Sequence, residues 1–281
     1  MRINTNVSSL TAQEAAVNTG NRITSSLEKL STGLRINKAS DDASGLAIAD
    51  KLRTQATSLK QGVDNGNSAV ALLQIADKSM AEQSNILDTV KAKLIQANTD
   101  TTSTDGRKAI AGDIKKLLEQ LNNISKQTNY NGRQLIGSTT GTSSASAQNF
   151  QIGEKATDTI KTTAITSNTT GLSLTTLAGD VAGGSITKGQ ASTAQSAVNK
   201  AVTKLNTFRA EVGSTQNQVE SAVRNLMTQV TNVTAAESII RDVDYAKESA
   251  NFNKQNIISQ AGSYAISQAN AVQQNVLRLL Q

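Results

Sequence analysis

Residues 52–97 read LRTQATSLKQGVDNGNSAVALLQIADKSMAEQSNILDTVKAKLIQA, and this stretch decides the fold. Apolar or small residues recur in it in alternating steps of four and three, which is the spacing of one face of an α-helix. The pattern predicts a single helix of about 46 residues, roughly 70 Å long. Gly62, Gly66 and Gln83 interrupt the apolar face, and we expect them to weaken the helix locally.

Two further stretches carry the same periodicity. Residues 110–124 predict a shorter helix that ends near TNYNG at 128–132, where Asn and Gly favour termination. Residues 194–233 predict another very long helix. Because neither long helix can bury its apolar seam alone, we expect the two to pack together. The apolar face of the shorter helix comprises Ile110, Ile114, Leu117, Leu121 and Ile124.

The two chain ends carry narrower apolar stripes among many Gln, Asn and Ser residues. Isolated helices of this kind are marginal in water, so we expect both ends to be mobile in the monomer. They should become ordered when they pack against copies of the chain. The predicted polymerisation residues are Ile3, Val7, Leu10, Ile23, Leu27, Leu30 and Leu34 at one end and Ile258, Val272, Val276, Leu279 and Leu280 at the other.

The middle of the chain differs in character. Residues 137–148 form a Ser/Thr/Gly-rich loop, residues 150–177 predict one or two short hairpins, and residues 179–189 predict a turn-rich connector. The sequence therefore predicts a mainly α fold, a long antiparallel helical bundle or coiled coil with a small β-hairpin region in the middle. The predicted domains are an end and linker at 1–42, core helices at 43–137, the β-hairpin region and loops at 138–189, a core helix at 190–236, and a linker and end at 237–281.

Composition argues against an enzyme. The chain has no His, Cys or Pro, and aromatic residues make up only 2% of it. The absence of His removes the commonest general base and metal ligand, and the absence of Cys removes thiolate chemistry and zinc–sulfur sites. We find no nucleophile with a base beside it in the middle segment. We therefore expect no catalytic site, no cofactor and no metal.

The net charge of +6 raises nucleic acid and anionic membranes as possible partners. The basic residues are scattered, however, and no aromatic residues interleave with them, which is typical of a solvated surface. No run of 18 apolar residues is present, and MRINTNVSSL at residues 1–10 lacks the apolar core of a signal peptide. We therefore expect binding to neither nucleic acid nor a membrane.

The stretch LSTGLRINKASDDASGLAIAD, residues 30–50, combines an acidic pair with two glycines. Asp41 and Asp42 are adjacent, so on a helix they point about 100° apart and do not share a proton. Neither this pair nor Asp242 with Asp244 has a third carboxylate at calcium-loop spacing. Ser40 or one of the two aspartates is expected to cap a helix that begins near Ala43, so the stretch reads as a break between two helices.

Both ends of the sequence closely resemble bacterial flagellin. The resemblance covers roughly residues 1–137 and 190–281 and rests on TGLRIN at 32–37, DDASGLAIA at 41–49, DVDYAKE at 242–248 and NVLRLL at 275–280. It implies a homo-oligomeric helical filament in which the paired chain ends line the interior. It also implies export of the unfolded chain through the flagellar type III channel, with an export chaperone, junction proteins and a cap as partners, and a final location in the extracellular filament.

The resemblance further implies that residues 30–45 and the returning chain link the inner and outer layers of the filament. Their polar contacts would set the angle of this joint and the register of the subunits. The alternative interpretation is that they are helix caps and solvated charges. The candidate joint residues are Arg35, Asn37, Asp41, Asp42, Arg241, Asp242, Asp244 and Tyr245.

The sequence departs from the family in two places. The short middle segment has no room for the outer domains of many flagellins, so we expect a thin filament. In flagellins detected by the flagellin-sensing Toll-like receptor, the matching helix resembles LQRVRELAVQ, whereas residues 87–96 read LDTVKAKLIQ. Thr89, Ala92 and Lys93 replace Arg, Glu and Leu of the family, which predicts weak or no recognition by that receptor.

Two rival functions share some of these features. A hook–filament junction protein has similar helical ends but matches DDASGLAIA and NVLRLL only loosely. A secreted coiled-coil adhesin would remain monomeric at high concentration. The favoured hypothesis is a structural subunit that polymerises into the flagellar filament.

Overall fold

The computed structural model describes residues 5–137 and 147–279 of the chain. The chain forms two compact units: the first contains Met1–Ala56 and Thr231–Gln281, and the second contains Thr57–Val230. The boundaries of the units fall inside two long helices rather than in loops. The five-part domain division of the sequence stays a prediction.

Helices dominate the described residues, and the strands are short. The helices are α1 (Val7–Thr32), α2 (Ala43–Asn98), α3 (Thr104–Gln127), α4 (Thr175–Ala182), α5 (Lys188–Arg241) and α6 (Tyr245–Leu279). The strands are β1 (Asn129–Tyr130), β2 (Arg133–Gln134), β3 (Asn149–Gln151) and β4 (Thr159–Lys161). They form two antiparallel hairpins, β1–β2 and β3–β4. The predicted mainly α fold with a small β region is confirmed.

Helix α2 is longer than its apolar stripe alone indicates, with 56 residues. It begins at Ala43, where an Asp42 carboxylate oxygen accepts a hydrogen bond from the Gly45 N–H at 2.9 Å and caps the first turn. From there the predicted seam is largely buried within the second unit. Its buried members are Leu59, Gly66, Leu73, Ala76, Met80, Gln83, Leu87, Val90, Leu94 and Ala97.

Helices α2 and α5 pack antiparallel within the second unit, as the paired seams predict. Gly66 lies against Val223, and eleven residues further along α2 the Asp77 carboxylate accepts from the Arg209 guanidinium at 2.9 Å. Residue numbers therefore rise along α2 as they fall along α5. A Cβ on Gly66 would lie 2.3 Å from a methyl group of Val223. Gly66 thus permits close packing of the two helices, and the expected local weakening of α2 stays a prediction.

Helix α3 contains the predicted range and buries three of the five predicted residues, Ile110, Ile114 and Leu121. It ends at Gln127, next to the expected stop. Leu118 and Ser125 are buried in place of Leu117 and Ile124. Ser125 can occupy the core because its hydroxyl donates to the Ile136 carbonyl at 3.0 Å, which removes the penalty for burying a polar group.

The β3–β4 hairpin packs on α2. The Asn65 side-chain amide donates to the Gln151 carbonyl at 3.0 Å. One turn earlier, a Cβ on Gly62 would lie 1.9 Å from the Ile152 carbonyl oxygen, so only glycine allows this approach. The prediction of a short hairpin in residues 150–177 therefore holds for its first part.

The prediction is wrong where the expected hairpins meet the expected connector. Residues 175–182, expected to form hairpin and connector, are the helix α4, and its Leu177 and Val181 are buried. These two residues are four apart, so they share one helix face. Eight residues with only two large apolar side chains are too few to show a period, and their Thr and Gly residues favour a turn or strand interpretation.

Gln83 is a buried polar residue in the middle of the α2 seam, with no exposed surface. Its amide nitrogen donates to the Leu121 carbonyl of α3 and to the Ser167 carbonyl, both at 3.1 Å. Its side-chain oxygen has no hydrogen-bond partner among the described residues. One side chain thereby connects α2 to α3 and to the segment that follows β4.

Candidate functional site

The two breaks between helices in the first unit, residues 33–42 and 242–244, are connected by backbone hydrogen bonds. We call these breaks, with the adjoining helix-end residues Arg241 and Tyr245, the joint. Arg35 N–H donates to the Arg241 carbonyl at 2.6 Å, and Val243 N–H donates to the Gly33 carbonyl at 3.0 Å. Between these two bonds Leu34 lies opposite Asp242 in an antiparallel bridge. Backbone N–H and carbonyl groups at the end of each helix, which lack partners inside the helix, are therefore hydrogen-bonded across the joint.

Arg35 adds a side-chain contact to this bridge. Its Nε and Nη2 donate to the Ile240 carbonyl at 3.2 and 2.5 Å. Ile240 lies in the last turn of α5, where carbonyl oxygens lack intrahelical partners and carry partial negative charge. The guanidinium therefore stabilises the end of α5 from the opposite break.

Three of the predicted acidic residues fix where helices and turns begin. Asp42 caps α2, as described above, and an Asp244 carboxylate oxygen accepts from two backbone N–H groups at the start of α6, at 3.0 and 3.1 Å. Asp41 accepts from the N–H groups of Asn37 and Lys38 at 3.1 and 2.9 Å. These backbone hydrogen bonds lower the pKa of Asp41. The loop 37–41 is thus closed by one carboxylate.

A cluster around Glu28 anchors the same loop to α1. The Glu28 carboxylate accepts from the Asn37 side-chain amide and from the Lys38 ammonium, both at 2.7 Å. The hydrogen bond from Lys38 lowers the pKa of Glu28, and the same bond raises the pKa of Lys38. The pair is exposed, so its ionic contribution is small and its main effect is geometric. Sequence reasoning missed Glu28, since a spacing of ten residues across a break carries no periodic signal.

Arg241 is the most buried charge of the joint, with 15% of its side chain exposed. Its Nη1 lies 3.5 Å from a carboxylate oxygen of Asp50 in α2 and 4.0 Å from one of Glu237. Its Nε has no partner among the described residues. Asp50 was not predicted as a joint residue, yet it joins α2 to α5 within the first unit.

Gly33 ends α1 in the left-handed conformation, with φ of 75°. Its N–H donates to the Lys29 carbonyl at 2.9 Å, which closes the helix end. A Cβ at this position would lie 2.9 Å from the Tyr245 hydroxyl. The remaining predicted joint residue, Asp242, accepts from the Ser238 hydroxyl at 2.5 Å. The joint therefore combines a backbone bridge with close side-chain packing at Tyr245.

Helices α1 and α6 pack antiparallel along their length, because Asn6 donates to the Ala269 carbonyl at 3.1 Å near one end and Ser26 donates to Glu248 near the other. The Asn251 amide donates to both of the latter side chains at 3.2 Å. Polar residues hold this pair together. Among the side chains that the structure describes in this pair, the buried ones are Ser9, Thr19, Ser26 and Gln255.

The apolar stripe residues of this pair lie mostly on the surface. Val7, Leu10, Leu27 and Val272 are 54–60% exposed and Ile258 is 41% exposed. Three more predicted residues, Ile23, Leu30 and Leu34, are half-buried. Ile3 and Leu280 lie outside the described residues, as do the side chains of Val276 and Leu279. Sequence reasoning missed three other exposed apolar residues, Val17, Ile257 and Tyr264.

Comparison with known proteins identifies the family. The family model of the bacterial flagellin N-terminal helical region matches residues 3–141, and the model of the C-terminal helical region matches residues 195–280. The chain belongs to the bacterial flagellin family. It is 37% identical to the flagellin of Bacillus subtilis over the full length of both chains. It is 48% identical to flagellin B of Helicobacter pylori over 57% of this chain and 30% of that one.

Solved structures agree with this assignment. The crystal structure of Bacillus cereus flagellin matches with a TM-score of 0.50 and 26% identity, over 62% of this chain and 94% of that one. A putative flagellar hook-associated protein from Vibrio parahaemolyticus matches with a TM-score of 0.62 over 72% of this chain and 99% of that one. Its 12% identity shows a shared fold alone. The chain is therefore a flagellar filament subunit, and the two rival functions are not favoured.

Residues 87–96, the stretch that differs from the motif of receptor-detected flagellins, lie on α2 in the second unit. Thr89 and Ala92 are exposed, and the Lys93 ammonium lies 2.7 Å from a carboxylate oxygen of Asp113 in α3. This hydrogen bond lowers the pKa of Asp113. Lys93, which stands where the compared motif has Leu, therefore forms an ion pair that connects α2 to α3.

Flagellins are structural proteins. Within residues 5–137 and 147–279, no three His, Cys, Asp or Glu side chains are grouped so that they could hold a metal ion. No helix in the same residues has the length and apolar character needed to cross a membrane.

Proposed function

We propose that this flagellin polymerises through the exposed apolar side chains of α1 and α6. One observation carries the proposal: among the described side chains, the α1–α6 pair fully buries only Ser, Thr and Gln residues and leaves most of its large apolar side chains exposed. A helix pair with this arrangement gains little from folding alone. It gains much more when copies of the chain cover its surface, because burial of apolar area is the main favourable term in association. Contacts of this kind that do not close on themselves generate an open helical polymer.

The size of the effect follows from the exposure of individual residues. Leu10 and Leu27 are 55% and 54% exposed. Full burial of a leucine side chain contributes about 1.5–3 kcal/mol relative to exposure, so two half-exposed leucines contribute roughly that amount together. The same contacts repeat in every subunit, so small changes at these positions act on every interface of the filament.

Replacing Leu10 and Leu27 together by Asn is expected to raise the critical concentration for polymerisation at least about tenfold. The thermal unfolding midpoint of the monomer should stay nearly unchanged, because both side chains are largely exposed before assembly. Seeded polymerisation measured by sedimentation and negative-stain microscopy checks both points. The matched control replaces the exposed residues Thr11 and Thr24 of the same helix by Asn.

Control filaments should form at the wild-type concentration. A chain that lacks residues 1–34 and 258–281 should stay monomeric in the same assay. Normal polymerisation of the double leucine variant would contradict the proposal, since it would place the subunit contacts elsewhere.

The joint would hold the end helices in a fixed direction for this assembly. The support is that its backbone bridge, the Arg35 contact with α5 and the caps at Asp42 and Asp244 all lie where helices meet. A change at the joint would repeat in every subunit and alter the shape of the whole filament.

Family membership also supports export of the unfolded chain through the flagellar channel, with chaperone, junction and cap partners, and a non-catalytic role in the extracellular filament. A chain without Cys meets no disulfide obstacle during such export.

The chain would also be a weak ligand of the flagellin-sensing Toll-like receptor. The support is that Thr89 and Ala92 present small side chains on the exposed face where the compared motif has Arg and Glu. Restoring the motif with Thr89→Arg, Ala92→Glu and Lys93→Leu is expected to raise potency in a reporter-cell assay about 30-fold, the effect of one interface hot spot. Wild-type potency equal to that of a motif-bearing flagellin would contradict this prediction.

A further inference from the structure

The chain contains two Asn-Gly pairs, Asn65–Gly66 and Asn131–Gly132, which the fold treats very differently. Asn followed by Gly is the dipeptide most prone to spontaneous deamidation, because Gly has no side chain to hinder attack by its own peptide nitrogen. The reaction needs a free Asn side chain and a backbone that can bend into a five-membered ring. The two pairs differ in both requirements.

Asn131 and Gly132 form the loop of the β1–β2 hairpin, with φ of 51° and 77°. Tyr130 pairs with Arg133 across this two-residue loop, which is the arrangement of a type I′ turn. Both loop residues are exposed, and the Asn131 side chain has no hydrogen bond within the described part of the chain. The hairpin has only two residues in each strand, and an isolated hairpin of this size is marginally stable.

Asn65 and Gly66 lie in the middle of α2 instead. The Asn65 amide nitrogen donates to the Gln151 carbonyl, and its oxygen accepts from the Gln61 amide, both at 3.0 Å. Gly66 is buried against Val223. Ring closure here would require a central turn of a long packed helix to unwind.

We propose that Asn131 is a site of spontaneous deamidation in this protein and that opening of the β1–β2 hairpin controls its rate. The Gly132 peptide nitrogen loses its proton and forms a bond to Cγ of Asn131. The bond from Cγ to Nδ2 breaks, and the amide leaves as ammonia with a proton in place of the one lost. Water then opens the resulting succinimide at either carbonyl, which yields aspartate or isoaspartate.

The turn must open first because of its backbone geometry. In a type I′ turn the first loop residue has ψ near about +30°, which places the following nitrogen away from Cβ. Closure therefore needs Asn131 to leave the left-handed region. Local opening of small exposed elements has a low free-energy cost, whereas a packed helix centre opens only with much of its unit. Each event adds one negative charge, and isoaspartate also adds one carbon to the main chain in the turn.

The experiment incubates the purified full-length monomer at mildly alkaline pH and maps its peptides by mass spectrometry that separates Asn, Asp and isoaspartate. Asn65 serves as the internal control, and two synthetic peptides of the same segments give the unstructured rates. We expect Asn131 to deamidate at least about tenfold faster than Asn65 and more slowly than its free peptide. In concentrated denaturant the two rates should converge.

Equal rates at the two positions in the folded protein would overturn the proposal. So would a lasting difference in denaturant, because the cause would then be the neighbouring side chains and not the fold. An Asn131→Gln variant provides a second check, since it should accumulate no isoaspartate at position 131 over the same time.

Discussion

A Gln83→Glu variant is expected to lower the free energy of unfolding of the second unit by about 3–5 kcal/mol at neutral pH, the cost of a buried charge without a partner. Gln83 has no exposed surface, and its amide nitrogen donates to the carbonyls of Leu121 and Ser167. A carboxylate has no donor at this position, so two of its interactions become contacts between acceptors. Urea unfolding followed by circular dichroism measures the loss.

The size of this loss should depend on pH in a defined direction. Burial raises the folded-state pKa of the new carboxyl above its unfolded value of about 4.3. Below that value both states carry the proton, and the deficit relative to wild type is smallest. As the pH rises from there to the folded-state pKa, the deficit grows by about 1.4 kcal/mol per pH unit. A deficit that stayed constant with pH would contradict a charge-based cause.

Two further variants separate the charge from the lost hydrogen bonds. Gln83→Leu removes both donors without adding a charge, so it should cost about 1–3 kcal/mol and show no such pH dependence. Gln74→Glu places the same new charge on an exposed position of the same helix. Its effect should stay within about 0.5 kcal/mol, as is usual for surface substitutions. A loss at Gln74 as large as that at Gln83 would show that burial is not the cause.

Gln83 also shows which features of α2 could be predicted from the sequence and which could not. The alternation of steps along α2 predicts a long helix, because a period of this kind sustained over many turns is typical of one helix face buried along its length. The same pattern marks Gln83 only as an interruption. Its role depends on carbonyl groups of α3 and of residue 167, which lie 38 and 84 residues away in the chain. No local pattern contains that information, and the same holds for the close contact of Gly62 with the β3–β4 hairpin.

The joint, too, could be predicted from the sequence only in part. The positions of its caps could be predicted, since Asp42 precedes a helix start and cap chemistry is local. Its partners could not: Glu28 reaches Lys38 across the break, and Asp50 meets Arg241 through a contact between distant segments. The short helix α4 was missed for the opposite reason, because eight residues are too few for a period to stand out.

Gly33→Ala is expected to change the helical shape of the filament, because it strains the joint in every subunit. Alanine in the left-handed conformation costs about 1–2 kcal/mol, and its Cβ would lie 2.9 Å from the Tyr245 hydroxyl, which must move. The hydrogen bond from Val243 N–H to the Gly33 carbonyl spans the same place. Hydrogen exchange at the Val243 amide should therefore become about 5–30-fold faster, and electron microscopy should show filaments of altered pitch.

Removing the Tyr245 hydroxyl separates strain from crowding. In a Gly33→Ala, Tyr245→Phe variant the nearest ring carbon would lie 3.8 Å from the new Cβ, an ordinary contact, so the part of the effect due to crowding should disappear while the strain remains. Gly20→Ala is the matched control, since Gly20 lies inside α1 and a Cβ added there would meet no atom within 4 Å. It should stabilise α1 by about 0.5–1 kcal/mol and leave the filament shape unchanged. If Gly33→Ala filaments kept the wild-type pitch while exchange at Val243 accelerated, the joint would open without directing the filament, and its residues would act only as helix caps.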